Sequence, residues 1–251
     1  MNDTPIAGAP AQLEITIASK AYASGRGAPV EAVRNFAMRL PAGQFGALIG
    51  PSGCGKTTIL RIAAGLDHAY EGQVTLPVGG RIGVVFQEPR LLPWRTVEEN
   101  VRLVLDHAAP APDLDRLFHM LGIDEHRHHY PGELSLGLAR RAAIARAFAI
   151  SPDLLLLDEP FVSLDAATSQ RLRTELTALC ARHATTALMV THDMDEAIEL
   201  ADTMYFVSAR PAQLLAEVPV PMARGARDPQ AVALFRARLK ADFSKDTPPV
   251  P

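Results

Sequence analysis

Residues 45–57 read FGALIGPSGCGKT, and the architecture of the chain can be worked out from them. The apolar run Phe45–Ile49 is typical of a buried strand, and a helical pattern begins near Lys56 and Thr57. From Gly50 to Thr57 the spacing is G-x-x-x-x-G-K-[S/T]. In that pattern main-chain N–H groups surround phosphate oxygens, a lysine reaches the outer phosphates and a hydroxyl can bind Mg²⁺. Because strand, loop and helix follow in the order this mechanism requires, the stretch predicts a phosphate-binding loop.

A second segment, residues 154–160, reads LLLLDEP and carries two adjacent carboxylates. Its apolar run predicts a buried strand with Asp158 at its end, where a carboxylate can organise Mg²⁺. Glu159 follows at once and is placed to orient or deprotonate an attacking water. By itself Asp-Glu after an apolar run could equally be a helix cap. Together with the phosphate-binding loop, the segment favours a site for phosphate chemistry.

The remaining periodicity predicts alternating strands and helices. Further apolar runs at 82–86 and 187–190 have the length and flanks of buried strands, and residues 88–149 interrupt the alternation with mainly helical sequence. We therefore predict an α/β three-layer sandwich around a mostly parallel sheet, with an inserted α-helical subdomain. The helices are predicted at 57–64, 135–150, 166–183 and 194–201.

Composition limits the classes of function. The 251 residues are 48% hydrophobic with a net charge of −3, which suits one globular domain and gives no general attraction to nucleic acid. No apolar stretch approaches the ~20 residues that cross a bilayer, and the first residues lack a secretory signal, so a cytosolic protein is expected. Cys54 and Cys180 are expected to be free thiols, and residues 1–11 and 244–251 to be loosely ordered tails.

Four more features decide among proteins with such a loop. Gln87 follows the strand 82–86, residues 133–138 (ELSLGL, here the signature segment) open a helix, Ser163-Leu-Asp165 follows the carboxylates, and His192 ends the next strand. In this order the motifs resemble the ABC ATPase family over nearly the whole chain. Residues 85–96, VFQEPRLLPWRT, look most like the ATPases of nitrate, sulfonate and taurine importers.

The resemblance implies a P-loop NTPase fold with an antiparallel N-terminal β portion and an ATPase domain at 12–220. Its helical subdomain would span about 88–149, and an extension and tail 221–251. It also implies a homodimer or pseudo-dimer that buries ATP and Mg²⁺ between two subunits. Glu159, His192 and Gln87 would be catalytic, and Thr57, Gln87 and Asp158 would hold the metal. The nucleotide-binding residues would be Tyr22, Gly50, Pro51, Ser52, Gly53, Cys54, Gly55, Lys56, Thr57, Thr58 and Asp158, with Ser135 and Gly137 acting from the partner subunit and Asp165 at the dimer seam.

Two of these positions carry an alternative or a departure. Tyr22 matches the aromatic residue that stacks on adenine in the family, but a partly exposed packing tyrosine is also consistent with the sequence. The family signature is commonly Leu-Ser-Gly-Gly-Gln, whereas Leu136 and Leu138 stand here in place of a glycine and an amide. Leu136 is expected to restrict backbone angles that glycine would leave open, and so to alter affinity or rate.

Other features have simpler interpretations. The histidine-rich segment 126–129 is more consistent with a solvated loop than with a metal site. Arg140, Arg141 and Arg146 are expected to pack, pair with carboxylates or meet the dimer partner. Trp94 is either a core anchor or a docking residue for a membrane subunit.

The resemblance therefore predicts an ATPase that powers import of a small solute of the nitrate, sulfonate or taurine kind, from the cytoplasmic face of the inner membrane. Its partners would be permease subunits and, indirectly, an extracytoplasmic solute-binding protein, with no nucleic acid. The alternatives are an exporter ATPase with separate permeases, a non-transport cytosolic ABC ATPase, and a non-hydrolysing nucleotide-dependent regulator.

Overall fold

The computed structural model describes residues 11–23, 25, 27–76, 80–105, 112–224 and 227–243. The predicted tails lie outside these residues, except that Ala11 begins the first strand. The described strands are β1 (Ala11–Tyr22), β2 (Val30–Pro41), β3 (Phe45–Ile49), β4 (Glu71–Thr75), β5 (Ile82–Val85), β6 (Leu154–Asp158), β7 (Thr186–Thr191), β8 (Thr203–Val207) and β9 (Leu214–Pro219). The described α-helices are α1 (Lys56–Ala63), α2 (Val97–Arg102), α3 (Leu114–Met120), α4 (Leu136–Phe148), α5 (Ala166–His183), α6 (Met194–Leu200) and α7 (Pro229–Phe243).

Two sheets organise the described residues. The larger has the strand order β5-β6-β7-β3-β8-β9, in which β9 alone pairs antiparallel. The smaller is antiparallel with the order β2-β1-β4. Because β5, β6, β7 and β3 run parallel, their carboxyl ends meet at one edge of the larger sheet. That edge carries most of the residues singled out by their motifs.

The larger sheet is buried on both faces, which explains its continuous apolar strands. In β6, Leu155 and Leu157 belong to a core shared with α4, α5 and α6. Leu154 and Leu156 belong to a second core shared with α1 and the smaller sheet. The predicted three-layer α/β sandwich, with a mostly parallel sheet and an antiparallel N-terminal portion, is confirmed.

Helical structure fills the chain between β5 and β6. A capping box starts α2, where Thr96 accepts from the main-chain N–H of Glu99 and the Glu99 carboxylate accepts from that of Thr96. Asn100 is fully buried and holds the preceding turn through the main chain of Leu92 and Arg95. This inserted helical portion was predicted, and two short 3₁₀ turns, Asp124–His126 and Pro131–Glu133, join α3 to α4.

The C-terminal helix α7 packs back onto the molecule. Val232 and Leu239 are buried in the core that also contains α6. Arg227 donates to the carbonyls of Ile198 and Ala201 near the end of α6 and so satisfies main-chain acceptors that a helix end leaves free. No helix in the described part of the chain is long and apolar enough to span a membrane.

Candidate nucleotide site

The phosphate-binding loop, residues 50–57, joins β3 to α1 at the carboxyl edge of the larger sheet. Lys56 folds back over the loop, and its Nζ donates to the carbonyl oxygens of Gly50 at 2.6 Å and Pro51 at 3.0 Å. The lysine is only 4% exposed, and the buried thiol of Cys54 lies 4.0 Å from its Nζ. The ammonium group is thereby held inside the loop.

Two glycines of the loop have no room for a side chain. A Cβ on Gly55 would lie 2.6 Å from the carbonyl oxygen of Ala32, and the φ of Gly55 is +126°. A Cβ on Gly50 would lie 2.8 Å from the carbonyl oxygen of Val207. Both contacts are with backbone atoms of strands, so the loop packs closely against the main chain of β2 and β8.

The loop faces Asp158 at the end of β6. Thr57 Oγ1 donates to Asp158 Oδ1 over 3.1 Å, and Asp158 is buried. Burial raises the pKa of Asp158, the hydrogen bond from Thr57 opposes this, and the neighbouring Glu159 charge raises it further. A desolvated carboxylate beside a hydroxyl is a pair of hard oxygen donors of the kind that Mg²⁺ prefers.

Glu159 leaves the strand in an unusual backbone conformation and meets His192. Its φ is +45°, and its N–H donates to the carbonyl of Val190. Glu159 Oε1 lies 3.3 Å from His192 Nδ1. The two side chains border a cavity of about 500 Å³. The structure therefore brings together a carboxylate and an imidazole that the sequence had placed at the ends of two different strands.

Gln87 lies on the same edge of the sheet, two residues after β5. Val85 is level with Leu157 in the parallel pairing of β5 and β6, so the segment that follows β5 runs beside the end of β6. Gln87 is exposed.

Tyr22 ends β1 next to the start of α1. Its hydroxyl lies 3.2 Å from Thr58 Oγ1 and donates to Asp67 over 3.2 Å. Lys20 Nζ lies 4.5 Å from the centre of the ring and forms a buried ion pair of 2.6 Å with Asp67. Tyr22 remains 41% exposed, so part of the ring faces solvent beside the loop.

The signature segment ends at the start of α4. Ser135 is the N-cap, accepting from the main-chain N–H of Leu138. Leu136 is the first helical residue, and leucine is compatible with helical backbone angles; the expected change in affinity or rate stays a prediction. Leu136 is 42% exposed. Compared with the glycine common in the family, it adds an apolar side chain to the protein surface.

Asp165 lies close to the signature segment. It caps α5 by accepting from the main-chain N–H of Thr168, and hydrogen bonds from Thr168 lower the pKa of Asp165. A Cβ on Gly137 would lie 2.9 Å from Thr168 Cγ2. The starts of α4 and α5 therefore form one surface that carries Ser135, Gly137 and Asp165.

Sequence reasoning missed three contacts around the loop. Arg210 donates from its Nη2 to the carbonyl of Gly53 over 2.7 Å. Lys20 pairs with Asp67 behind Tyr22. Arg140 donates to the main-chain carbonyls of Glu159, Pro160 and Val162. No motif signals these contacts, because each joins a side chain to a segment far away in the sequence.

The remaining sequence features resolve more simply. Trp94 is 70% exposed, so the core-anchor alternative is wrong. Arg141 is buried and pairs with Glu175, and Arg146 donates to the carbonyls of Pro89 and Arg90, as the packing and pairing alternatives expected. Among the described residues, no group of three His, Cys, Asp or Glu side chains is placed to hold a metal ion.

Fold and motifs together define a P-loop nucleoside triphosphatase. Comparison with known proteins narrows the class, because residues 33–162 match the family model described as ABC transporter. The chain belongs to the ABC transporter family, and the predicted ATPase class is confirmed.

Named relatives and a solved structure agree with this assignment. The chain is 41% identical to "Aliphatic sulfonates import ATP-binding protein SsuB 2" of Burkholderia cenocepacia (strain HI2424), covering 96% of this chain and 91% of the relative. It is 46% identical to a protein of the same name from Streptomyces avermitilis, covering 80% of each. The dimeric post-hydrolysis structure of the ATP-binding cassette MJ0796 bound to ADP and Pi superposes with a TM-score of 0.74 at 27% identity, over 84% of this chain and 100% of that one.

Proposed function

We propose that the chain binds and hydrolyses ATP to power an ABC importer for a small sulfonate-like solute. The observation that carries the proposal is the edge of the larger sheet, where the Lys56 loop, the Thr57–Asp158 pair and the Glu159–His192 pair meet. The names of the relatives support import and the sulfonate class. Nitrate and taurine are the alternative cargoes.

In this proposal the loop holds the phosphates and Tyr22 holds the base. Residues 50–58 present main-chain N–H groups at the start of α1, whose dipole favours negative charge there. Lys56 exchanges its carbonyl partners for the β- and γ-phosphate oxygens. The exposed part of the Tyr22 ring stacks on adenine, a contact worth about 1–3 kcal/mol for bases in general.

Thr57, Asp158 and Gln87 hold Mg²⁺ in this proposal. The fit rests on the donor set, since Thr57 Oγ1 and Asp158 Oδ1 already lie 3.1 Å apart. Burial raises the pKa of Asp158, and a bound cation would favour its charged form. When bound, the metal neutralises charge that develops on the phosphates. Gln87 contributes an amide oxygen from the neighbouring strand end.

Glu159 and His192 act on the water that attacks the γ-phosphate. The carboxylate orients the water and accepts its proton while the bond from the γ-phosphate to the ADP leaving group breaks, and His192, whose Nδ1 lies 3.3 Å from the carboxylate, donates toward the phosphate. The positive φ of Glu159 supports this role, since backbone strain of this kind collects at functional sites.

The test is steady-state hydrolysis by the Glu159→Gln variant. We expect the rate to fall by about 10²- to 10⁴-fold with ATP affinity retained, because the amide keeps the shape and loses the base. Glu217→Gln, the same change on an exposed position of β9, is the matched control and should match the wild type. Equal rates for Glu159→Gln and the wild type would remove Glu159 as the base.

The dimer completes the site. Ser135 and Gly137 lie on the exposed surface formed by the starts of α4 and α5, from which they would close on the nucleotide of a partner subunit. Asp165 lies on the same surface and would line the seam. The dimeric state of the similar cassette structure supports this arrangement.

Permease subunits are the expected membrane partners, and the chain would lie peripherally on the cytoplasmic face of the inner membrane. An apolar groove of about 430 Å³ follows β5, with Phe86, Leu92 and Leu103 among its lining. Trp94 is exposed in the turn beyond it. Groove and tryptophan together suit a short helix of a permease.

In the same proposal, residues 12–220 are the ATPase domain, 88–149 its helical subdomain and 221–251 the extension and tail. Purification from native membranes in mild detergent, followed by mass spectrometry, tests the partners. A multispanning permease and a solute-binding protein would support import. Recovery with soluble machinery alone would contradict it.

A further inference from the structure

Arg140 is a buried cation in α4 whose hydrogen bonds all go to main-chain carbonyl oxygens. It is 3% exposed. Its Nη1 donates to the carbonyl oxygens of Glu159 at 3.2 Å and Pro160 at 2.8 Å, and its Nη2 to that of Val162 at 2.8 Å. Burial lowers the pKa of Arg140. A buried guanidinium is costly unless it is well satisfied. Within the described residues all of its hydrogen bonds go to this one loop, its Nε has no hydrogen-bond partner, and the charge of Glu196 opposes the effect of burial on its pKa.

The loop that Arg140 binds begins with the proposed catalytic base. Glu159 and Ser163 both have positive φ, +45° and +63°, which is unfavourable for residues other than glycine. The N–H of Glu159 is fixed by the carbonyl of Val190, and its carbonyl by Arg140. The two sides of the Glu159 backbone are therefore fixed by β7 and α4, and this sets the direction in which the carboxylate meets His192.

The same helix carries the signature segment at its start. Ser135 caps α4, and Arg140 lies five residues later, about 7.5 Å along the axis at 1.5 Å per residue. A helix this short moves as one body. A displacement of Ser135 and Gly137 would therefore reach the backbone of Glu159 through Arg140.

We propose that Arg140 is a positioning residue that couples engagement of the partner's nucleotide by α4 to alignment of Glu159 in its own subunit. The proposal rests on the proposed function, because it requires that Ser135 act in trans and Glu159 in cis. Each chain would then align its own base only when its signature segment has closed on the other nucleotide. The two sites would become active together.

The test compares Arg140→Met and Arg140→Lys of the full-length chain with the wild type. Methionine removes all three hydrogen bonds, and lysine keeps the charge but not the fork that spans the carbonyls of Pro160 and Val162. We expect kcat to fall by about 10²-fold for methionine, the loss that a misplaced group causes, and by less for lysine. The KM for ATP and the affinity for a fluorescent ATP analogue should change less than about twofold, and the Hill coefficient of hydrolysis should fall toward one.

Arg141→Gln is the matched control. Arg141 is also buried in α4, but it donates to the carbonyl of Leu121 and pairs with Glu175, away from the Glu159 loop. It should lose stability while keeping kcat and the Hill coefficient. If Arg140→Met does not fold, Arg140→Lys carries the same comparison.

The outcomes separate the two proposals. If hydrolysis depends on Glu159 but the Arg140 variants keep the wild-type kcat and Hill coefficient, the coupling is wrong and the proposed function stands. If Arg141→Gln lowers kcat as much as the Arg140 variants at equal loss of stability, Arg140 has only a structural role. If the wild type does not hydrolyse ATP, the proposed function and the coupling fall together.

Discussion

Gly55→Ala places a methyl group where the phosphate-binding loop has no space. The φ of +126° costs a residue with a side chain about 1–3 kcal/mol. The new Cβ would also lie 2.6 Å from the carbonyl oxygen of Ala32, which cannot retreat freely because it accepts from the N–H of Ala212 at 2.9 Å. Overpacking of this kind typically costs about 1–3 kcal/mol. We therefore expect a loss of about 4 kcal/mol in the free energy of unfolding.

Alanine substitutions at two other glycines separate the cost of backbone strain from the cost of the steric clash. Gly65 has φ +67°, and no atom of the described residues lies within 4 Å of the position that a Cβ would take there, so Gly65→Ala should cost only the strain, about 1 kcal/mol. Gly132 has neither feature, and Gly132→Ala should stay within about 0.5 kcal/mol of the wild type.

Thermal unfolding of the nucleotide-free protein measures the series. At about 2–4 °C per kcal/mol for a chain of this size, Gly55→Ala should lower Tm by about 8–16 °C, Gly65→Ala by about 2–4 °C and Gly132→Ala by almost nothing. ATP affinity should fall for Gly55→Ala alone. A Tm for Gly55→Ala equal to that of Gly65→Ala would refute the reasoning, because it would mean that the loop moves away from Ala32 without cost.

Three further predictions concern single polar groups. Ser135→Ala removes the cap of α4 and should lower the free energy of unfolding by about 1 kcal/mol, measured in urea, with Ser135→Asn as the variant that keeps a cap. Asp158→Asn should raise the Tm of the nucleotide-free protein at neutral pH. The pKa of Asp158 is raised in the folded state, so its negative charge destabilises the fold as pH rises above the ordinary value of 3.8. An unchanged or lower Tm would contradict the raised pKa. The pKa of Asp67 is lowered, because hydrogen bonds from Lys20 and Ala69 outweigh the effect of burial. The ionised carboxylate therefore stabilises the fold above pH 3.8, and this contribution is lost as pH falls through the folded-state pKa of Asp67. Asp67→Asn should therefore flatten the acid limb of a stability–pH curve, and an unchanged limb would exclude the Lys20 pair as its source.

The sequence was sufficient for the fold and for bringing the motif residues to one edge of the larger sheet, because both follow from local patterns. The apolar runs of β3, β6 and β7 have the length and flanks of buried strands, and their carboxyl ends must meet once the strands are parallel. The spacing from Gly50 to Thr57 needs no partner elsewhere in the chain to be recognised.

The contacts that refine the site could not be predicted, because they join side chains to distant main chain. Arg140 was expected only to pack, pair with carboxylates or meet a partner subunit, yet it binds the carbonyls of Glu159 and Pro160. The helical conformation of Leu136 could not be predicted either, because it depends on where α4 begins. Exposure of Trp94 likewise depends on how the chain turns before α2.

The position of Lys56 has a consequence for discrimination among anions. In this structure the ammonium group of Lys56 is bound to the carbonyls of Gly50 and Pro51 inside the loop. Any anion must therefore replace two existing hydrogen bonds before it gains from the lysine. Inorganic phosphate brings too few contacts to offset that exchange well, whereas a triphosphate also engages the rest of the loop. On the proposed function, the position of Lys56 therefore favours a ligand that contacts the whole loop, such as a triphosphate, over a single phosphate.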